Sequence, residues 1–186
     1  MKTETHFKLA LLLSATHLSN RPLTARAMFI AGCVQPDISP FSYLKGFKVR
    51  PFFGHNWGNA KKYILTRAEK AEQGRIGYFE MGKFIHYLCD AFTLPHNVEF
   101  KGGLYDHVLY EKCLHSLVFE QLGSEYKEQK PDNTSLCKWI EQLHESYIKS
   151  DLSESTDAKF ICFAADNALS LWAEQTAVAL QVTPPL

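Results

Sequence analysis

Two short segments pair a histidine with an acid four residues later: His86-Tyr-Leu-Cys-Asp90 and His107-Val-Leu-Tyr-Glu111. On a helix, residues four apart project from one face a single turn apart. Each segment can therefore bring an imidazole nitrogen and a carboxylate oxygen to one metal ion without backbone strain. His96 lies between them, directly after Pro95. The first pair is set among Phe84, Ile85, Leu88 and Cys89, and polar groups in an apolar stripe are unfavourable to bury unless something satisfies them. A His–Asp hydrogen bond would do that for one pair alone. Two such pairs bracketing a third histidine point to a metal ion. Imidazole with carboxylate is a zinc donor set, with an open position where catalysis occurs, whereas magnesium favours more oxygens.

Three more candidates lie upstream. His6 opens the first helical pattern, Asp37 follows Pro36, and His55 follows Phe52-Phe53-Gly54. Taken singly, each has a plainer reading: a histidine at a helix start, an Asp in a turn, and a loop histidine packed on aromatics. His17 and His144 sit in ordinary helical patterns and read as surface or packing residues. His115 lies eight residues after His107, near the same helical face. It reads as structural, with orientation of a ligating carboxylate as the alternative.

The elements that must position these residues are helices. Apolar residues recur at three- and four-residue steps over about 5–18 and 23–33. Residues 35–58 hold Pro36, Pro40, Pro51 and three glycines, which is loop material. A polar helix is expected over about 60–73, then helices over 78–92, 104–122, 135–149 and 156–180, with Pro95 closing the 78–92 helix. No β alternation persists. The expected fold is an all-α, single-domain helical bundle spanning 1–186, a length that suits one domain with a real core.

Charge and cysteine content narrow the function classes. Lys+Arg and Asp+Glu both number 20, so the net charge is zero. Only short basic runs such as Lys61-Lys62 occur, and no specific nucleic-acid signal stands out. Five widely spaced cysteines without a CxxC pair suit a reducing, cytoplasmic setting better than a disulfide framework. Cys89 and Cys113 fall in apolar helical patterns and read as small hydrophobes. The apolar run Phe7 to Ala15 is preceded by Glu4 and His6 and lacks a clear cleavage site, so it reads as a helix rather than a signal peptide. No run approaches the roughly 20 residues of a membrane span.

The ordered donor series resembles that of the zinc-dependent phospholipase C family, relatives of the P1/S1 nucleases. Its parts are an early His on the first helix, an Asp and a His in a long loop, HxxxD, a His ten residues beyond the first of that pair, and HxxxE. Here these are His6, Asp37, His55, His86, Asp90, His96, His107 and Glu111. The segment His86 to Asn97 (HYLCDAFTLPHN) is the most specific part, and residues past about 122 carry no motif. The resemblance implies one zinc at Asp37, His55, His86 and Asp90, and a second at His96, His107 and Glu111. A third would be held by His6 with Asp90 bridging. The secreted phospholipases complete that third position with the amine and carbonyl of an N-terminal Trp. This chain begins Met-Lys-Thr, which leaves two zincs expected and the third open.

By resemblance, the activity is hydrolysis of a phosphoric ester, with a metal-activated water attacking a phosphodiester on the headgroup side of a phospholipid. Asp37 would act as base or water-orienter as well as ligand. Phe52, three residues before His55, matches an aromatic that contacts choline in the secreted enzymes. Ile38 stands where those enzymes have a Tyr, and Phe52 also reads as an ordinary core residue. The alternatives are a P1/S1-like nuclease or nucleotidase, for which Trp57 is the one stacking hint, and a metal-binding protein without turnover. The oligomeric state is not indicated.

Overall fold

The computed structural model describes residues 1–39, 56–122 and 134–182. These form seven α-helices and one 3-10 turn, with no strand among the described residues, so the all-α expectation holds. The helices are α1 (Thr3–His17), α2 (Leu23–Ile38), α3 (Trp57–Glu72), α4 (Tyr78–Ala91), α5 (Leu104–Leu122), α6 (Leu136–Ile148) and α7 (Glu154–Val182). The 3-10 turn Leu94–His96 lies between α4 and α5.

Caps explain where several helices start earlier than their apolar pattern suggests. The Asn56 side chain accepts a hydrogen bond from the Asn59 amide at 2.9 Å, so α3 begins at Trp57 rather than at residue 60. The Ser153 hydroxyl accepts from the Thr156 amide, so α7 begins at Glu154 rather than at 156. At the end of α3, Arg75 N–H bonds the Lys70 carbonyl and Gly74 N–H bonds the Ala71 carbonyl. This Schellman closure requires the left-handed conformation that Gly74 adopts at φ 65°. Helix α3 is less exposed than its polar composition suggests, because Ala60, Ile64, Ala68 and Ala71 form a buried stripe at helical spacing.

The largest departure from the sequence reading is α2. It does not stop near Cys33 but runs through Pro36 to Ile38. Proline removes one backbone donor and crowds the carbonyl four residues back. Here it sits in the final turns with its ring buried, and packing of α2 on α4 maintains the helix to its end. Asp37 therefore stands on the last turn of a helix, not in an irregular loop.

The α2–α4 pair has the most extensive contact in the bundle, and two glycines permit it. Gly32 on α2 and Gly82 on α4 face each other at the crossing. A Cβ on Gly82 would overlap the Phe29 carbonyl oxygen, and one on Gly32 would overlap that of Phe79. Backbones meet where side chains would otherwise separate them. Around this crossing Phe29, Cys33, Met81, Phe84, Ile85 and Leu88 are buried, while α7 packs on α4 and α5 and contributes Ile161, Ala165, Leu169 and Trp172 to the core. Cys113, expected among the apolar positions of α5, is exposed, whereas Leu114 and Val118 are the buried residues of that stretch.

Gly82→Ala should destabilise the chain by about 1–3 kcal/mol, because a methyl group at the crossing must push two backbones apart. Denaturant unfolding of the two chains checks this.

Candidate metal centre

Helix α4 places His86 and Asp90 one turn apart, both fully buried. The close α2–α4 crossing brings the Cys33 carbonyl to 2.7 Å from His86 Nδ1. A carbonyl only accepts, so Nδ1 carries the hydrogen, and in the neutral ring Nε2 presents its lone pair. That nitrogen faces two carboxylate oxygens, Asp90 Oδ2 at 3.3 Å and Asp37 Oδ1 at 3.6 Å. Acceptor opposed to acceptor is repulsive unless a cation, either a proton or a metal ion, lies between them. Helix α1 adds His6, whose ring stacks on His86 at 3.8 Å and whose Nε2 lies 3.1 Å from Asp90 Oδ1. Burial and then the neighbouring His86 lower the His6 pKa to about 4, so this ring is neutral near pH 7. The two oxygens of Asp90 thus serve different sides, Oδ1 toward His6 and Oδ2 toward His86.

A second cluster forms where the 3-10 turn meets α5. Asp106 at the start of α5 accepts from the Gly103 amide at 2.8 Å, half of a capping box that fixes the first turn. In the next residue, His107, Nε2 lies 3.0 Å from Glu111 Oε1, and His96 Nε2 reaches the same oxygen at 3.3 Å. His96 is held in place by its neighbour. The Asn97 amide nitrogen donates to the Ala91 and Thr93 carbonyls, both at 3.0 Å, and its oxygen accepts from His144 Nε2 at 3.0 Å. His144 is therefore a buried packing residue, stacked on Trp57 at 3.9 Å.

The two clusters meet at the amine of Met1. Its nitrogen lies 2.7 Å from Asp90 Oδ1, 3.0 Å from Glu111 Oε1 and 3.3 Å from His96 Nε2. Burial alone would lower its pKa, but Asp90 and Glu111 outweigh burial and raise it to about 11. For Asp90 and Glu111, burial favours the neutral acid, yet the Met1 amine and the histidines hold both well below the usual carboxylate range. The sequence leaves the third position open, and no side-chain pattern marks a backbone amine.

These donors fit zinc on two counts. Asp90 and Glu111 are anions that share the Met1 ammonium, and Asp37 and Asp90 both face His86 Nε2, so carboxylates and imidazole nitrogens are gathered as a cation site requires. The spacings also match. Zinc–ligand bonds of about 2.0–2.1 Å place tetrahedral donors about 3.4 Å apart, and the nitrogen–oxygen separations within the two clusters run from 3.0 to 3.6 Å.

Residues 5–154 match the family model described as zinc-dependent phospholipase C. The chain belongs to that family. Neither the curated proteins nor the solved structures compared with it include a match. The family segment spans all eight candidate donors. Six of them, His6, His86, Asp90, His96, His107 and Glu111, fall in two groups that could hold metal ions, and Asp37 Oδ1 lies beside the first, 3.6 Å from His86 Nε2. His55 and Phe52 lie outside the described residues. His115 does not join the centre: its Nδ1 bonds the Thr5 hydroxyl at 2.8 Å, tying α5 to α1. His17 pairs with Asp166 at 2.6 Å, tying α1 to α7.

Removing zinc with a chelator should lower the melting temperature by roughly 10 °C, and restoring it should reverse the change, because a cation bound only by the folded state stabilises that state. Scanning calorimetry of the two forms tests this. His144 supplies a separate pH prediction. Burial lowers its pKa from 6.5 to about 4, so below pH 6.5 the unfolded chain takes up a proton that the folded chain refuses. Stability should therefore fall as the pH drops from 6.5 to 4, by on the order of 3 kcal/mol from this residue. In His144→Gln, unfolding free energies over that range should show a correspondingly shallower decline than in the parent chain.

Proposed function

We propose that the chain is a zinc-dependent phosphodiesterase of the phospholipase C type, acting as one domain over residues 1–186. The observation that carries this reading is the His86 ring, with one nitrogen committed to the Cys33 carbonyl and the other aimed at two carboxylate oxygens. In this reading His86, Asp90 and Asp37, joined by His55, hold one zinc. His96, His107 and Glu111 hold a second. A third position uses His6 and Asp90. In a chain that starts at Met1, its amine completes that position once it gives up the proton that Asp90 and Glu111 stabilise.

Bound zinc would polarise the phosphoryl oxygens and lower the pKa of water at the site. The chain's own residues do the rest. Asp37, largely buried on the last turn of α2, orients the attacking water and accepts its proton. Buried Asp90 and His6 keep the centre dry on the core side. A cleft of about 130 Å³ opens beside His96, walled by Trp57, Pro95, Asn97 and Val98, and receives the group attached to phosphorus. A phospholipid is the substrate the family suggests, with Phe52 contacting the headgroup. Trp57 at the cleft wall is the observation favouring the second reading, a nuclease or nucleotidase that stacks a base there.

No described helix is long and apolar enough to cross a membrane. All five cysteines are free, and burial raises the thiols of Cys33, Cys89 and Cys162, the last to about 12. The free thiols support placement in a reducing cytoplasm.

The test is an activity panel on purified zinc-loaded chain: a phosphocholine diester, a phosphomonoester and single-stranded nucleic acid. The diester should be turned over fastest. His86→Ala should lose zinc and all activity. Asp37→Asn should lose at least 100-fold in kcat while keeping the zinc held by His96, His107 and Glu111. Faster cleavage of nucleic acid would transfer the assignment to the nuclease reading, and zinc binding without turnover of any substrate would sink the enzymatic one.

A further inference from the structure

Asp157, on the first turns of α7, lies just past the family segment and is fully buried. Its two oxygens accept three hydrogen bonds. Oδ2 takes the Leu94 amide at 2.7 Å and the Tyr110 hydroxyl at 3.0 Å, and Oδ1 takes the Tyr147 hydroxyl at 2.7 Å. Leu94 opens the 3-10 turn that ends in His96, and Tyr110 is the residue before Glu111 on α5. One oxygen atom therefore joins the two backbone segments that deliver His96, His107 and Glu111. The other oxygen joins only α6, which carries no candidate ligand. The His6, His86 and Asp90 cluster rests on α1 and α4 and receives no bond from Asp157.

We propose that Asp157 is a positioning residue for the His96, His107 and Glu111 zinc site, acting through Leu94 and Tyr110 rather than by touching metal or substrate. The proposal rests on the metal-site reading above. A lone carboxylate is unfavourable in a buried setting. Burial raises its pKa to about 7 while the three donors oppose that rise, and the carboxylate is the form that all three donors address together. What the buried charge gains in return is a fixed distance between a turn and a helix. Neither segment is fastened to the other by any disulfide, and the turn is only three residues long. Partners beyond the ligands that hold them in orientation typically change metal affinity 10–100-fold when removed.

The two tyrosines provide the control. Tyr110→Phe and Tyr147→Phe each delete one hydroxyl bonded to the same carboxylate, so a generally structural role predicts similar effects for both. A positioning role predicts different ones. Zinc affinity is measured by chelator competition on full-length chain, together with the visible absorption of the cobalt-substituted protein, for wild type, Tyr110→Phe, Tyr147→Phe, Asp157→Asn and His107→Ala. Tyr110→Phe should weaken one zinc class roughly 10-fold and shift the cobalt bands. Tyr147→Phe should change affinity less than about 2-fold, whatever it does to the unfolding midpoint. Asp157→Asn should retain most of the affinity, because its remaining oxygen can still accept from both Leu94 and Tyr110. Equal zinc affinities and cobalt spectra in the two tyrosine variants, with zinc lost in His107→Ala, would overturn the positioning role alone. Unchanged zinc binding in His107→Ala would overturn the metal-site reading and the positioning role together.

Discussion

The organising constraint of this molecule is a gathering of carboxylates in a place that excludes water. Asp90 is fully buried, Glu111 and Asp37 are largely so, and among the described residues the Met1 ammonium touches Asp90 and Glu111. Buried carboxylates of that kind are unfavourable in a protein interior unless cations, protons or metal ions, complete them. The surrounding architecture is understandable as what is needed to hold acids and imidazoles at about 3 Å from one another while leaving room for an ion between them.

That requirement reaches back to the backbone. His86 can aim Nε2 at Asp37 and Asp90 because Nδ1 is anchored on the Cys33 carbonyl. That carbonyl is within reach because α2 and α4 touch at Gly32 and Gly82. The same closeness carries α2 past Pro36 and so brings Asp37 to the centre on a helical turn. A packing feature with no chemistry of its own thus sets the tautomer of the most buried imidazole. The second cluster is built differently. Its residues come from a short turn and an amphipathic helix at the edge of the bundle, and their arrangement relies on polar ties: Asn97 to the end of α4, and Asp157 to the turn and α5. One cluster is located by packed backbones, the other by hydrogen bonds to buried polar groups. The Met1 amine links the two, so a change at either is felt electrostatically by the other.

The sequence by itself determined the fold class and most of the candidate donor set. Helical periodicity is local, and HxxxD and HxxxE bring their two donors together on any helix, so His86, Asp90, His107 and Glu111 were legible without a structure. His96 followed from its place between them. What only the tertiary structure decided was convergence: that His6 stacks on His86, that Asp37 reaches the same centre from the end of α2, and that a backbone amine lies between Asp90 and Glu111. The extent of α2 was misread because proline propensity is a local rule and the α2–α4 contact that overrides it is not. Asp157 carried no signal, since an Asp near a helix start is ordinary and its worth lies in three partners 10 to 63 residues away. Periodicity and donor spacing are written in neighbouring residues. The groups that orient those donors are chosen by which distant surfaces the packed helices bring into contact.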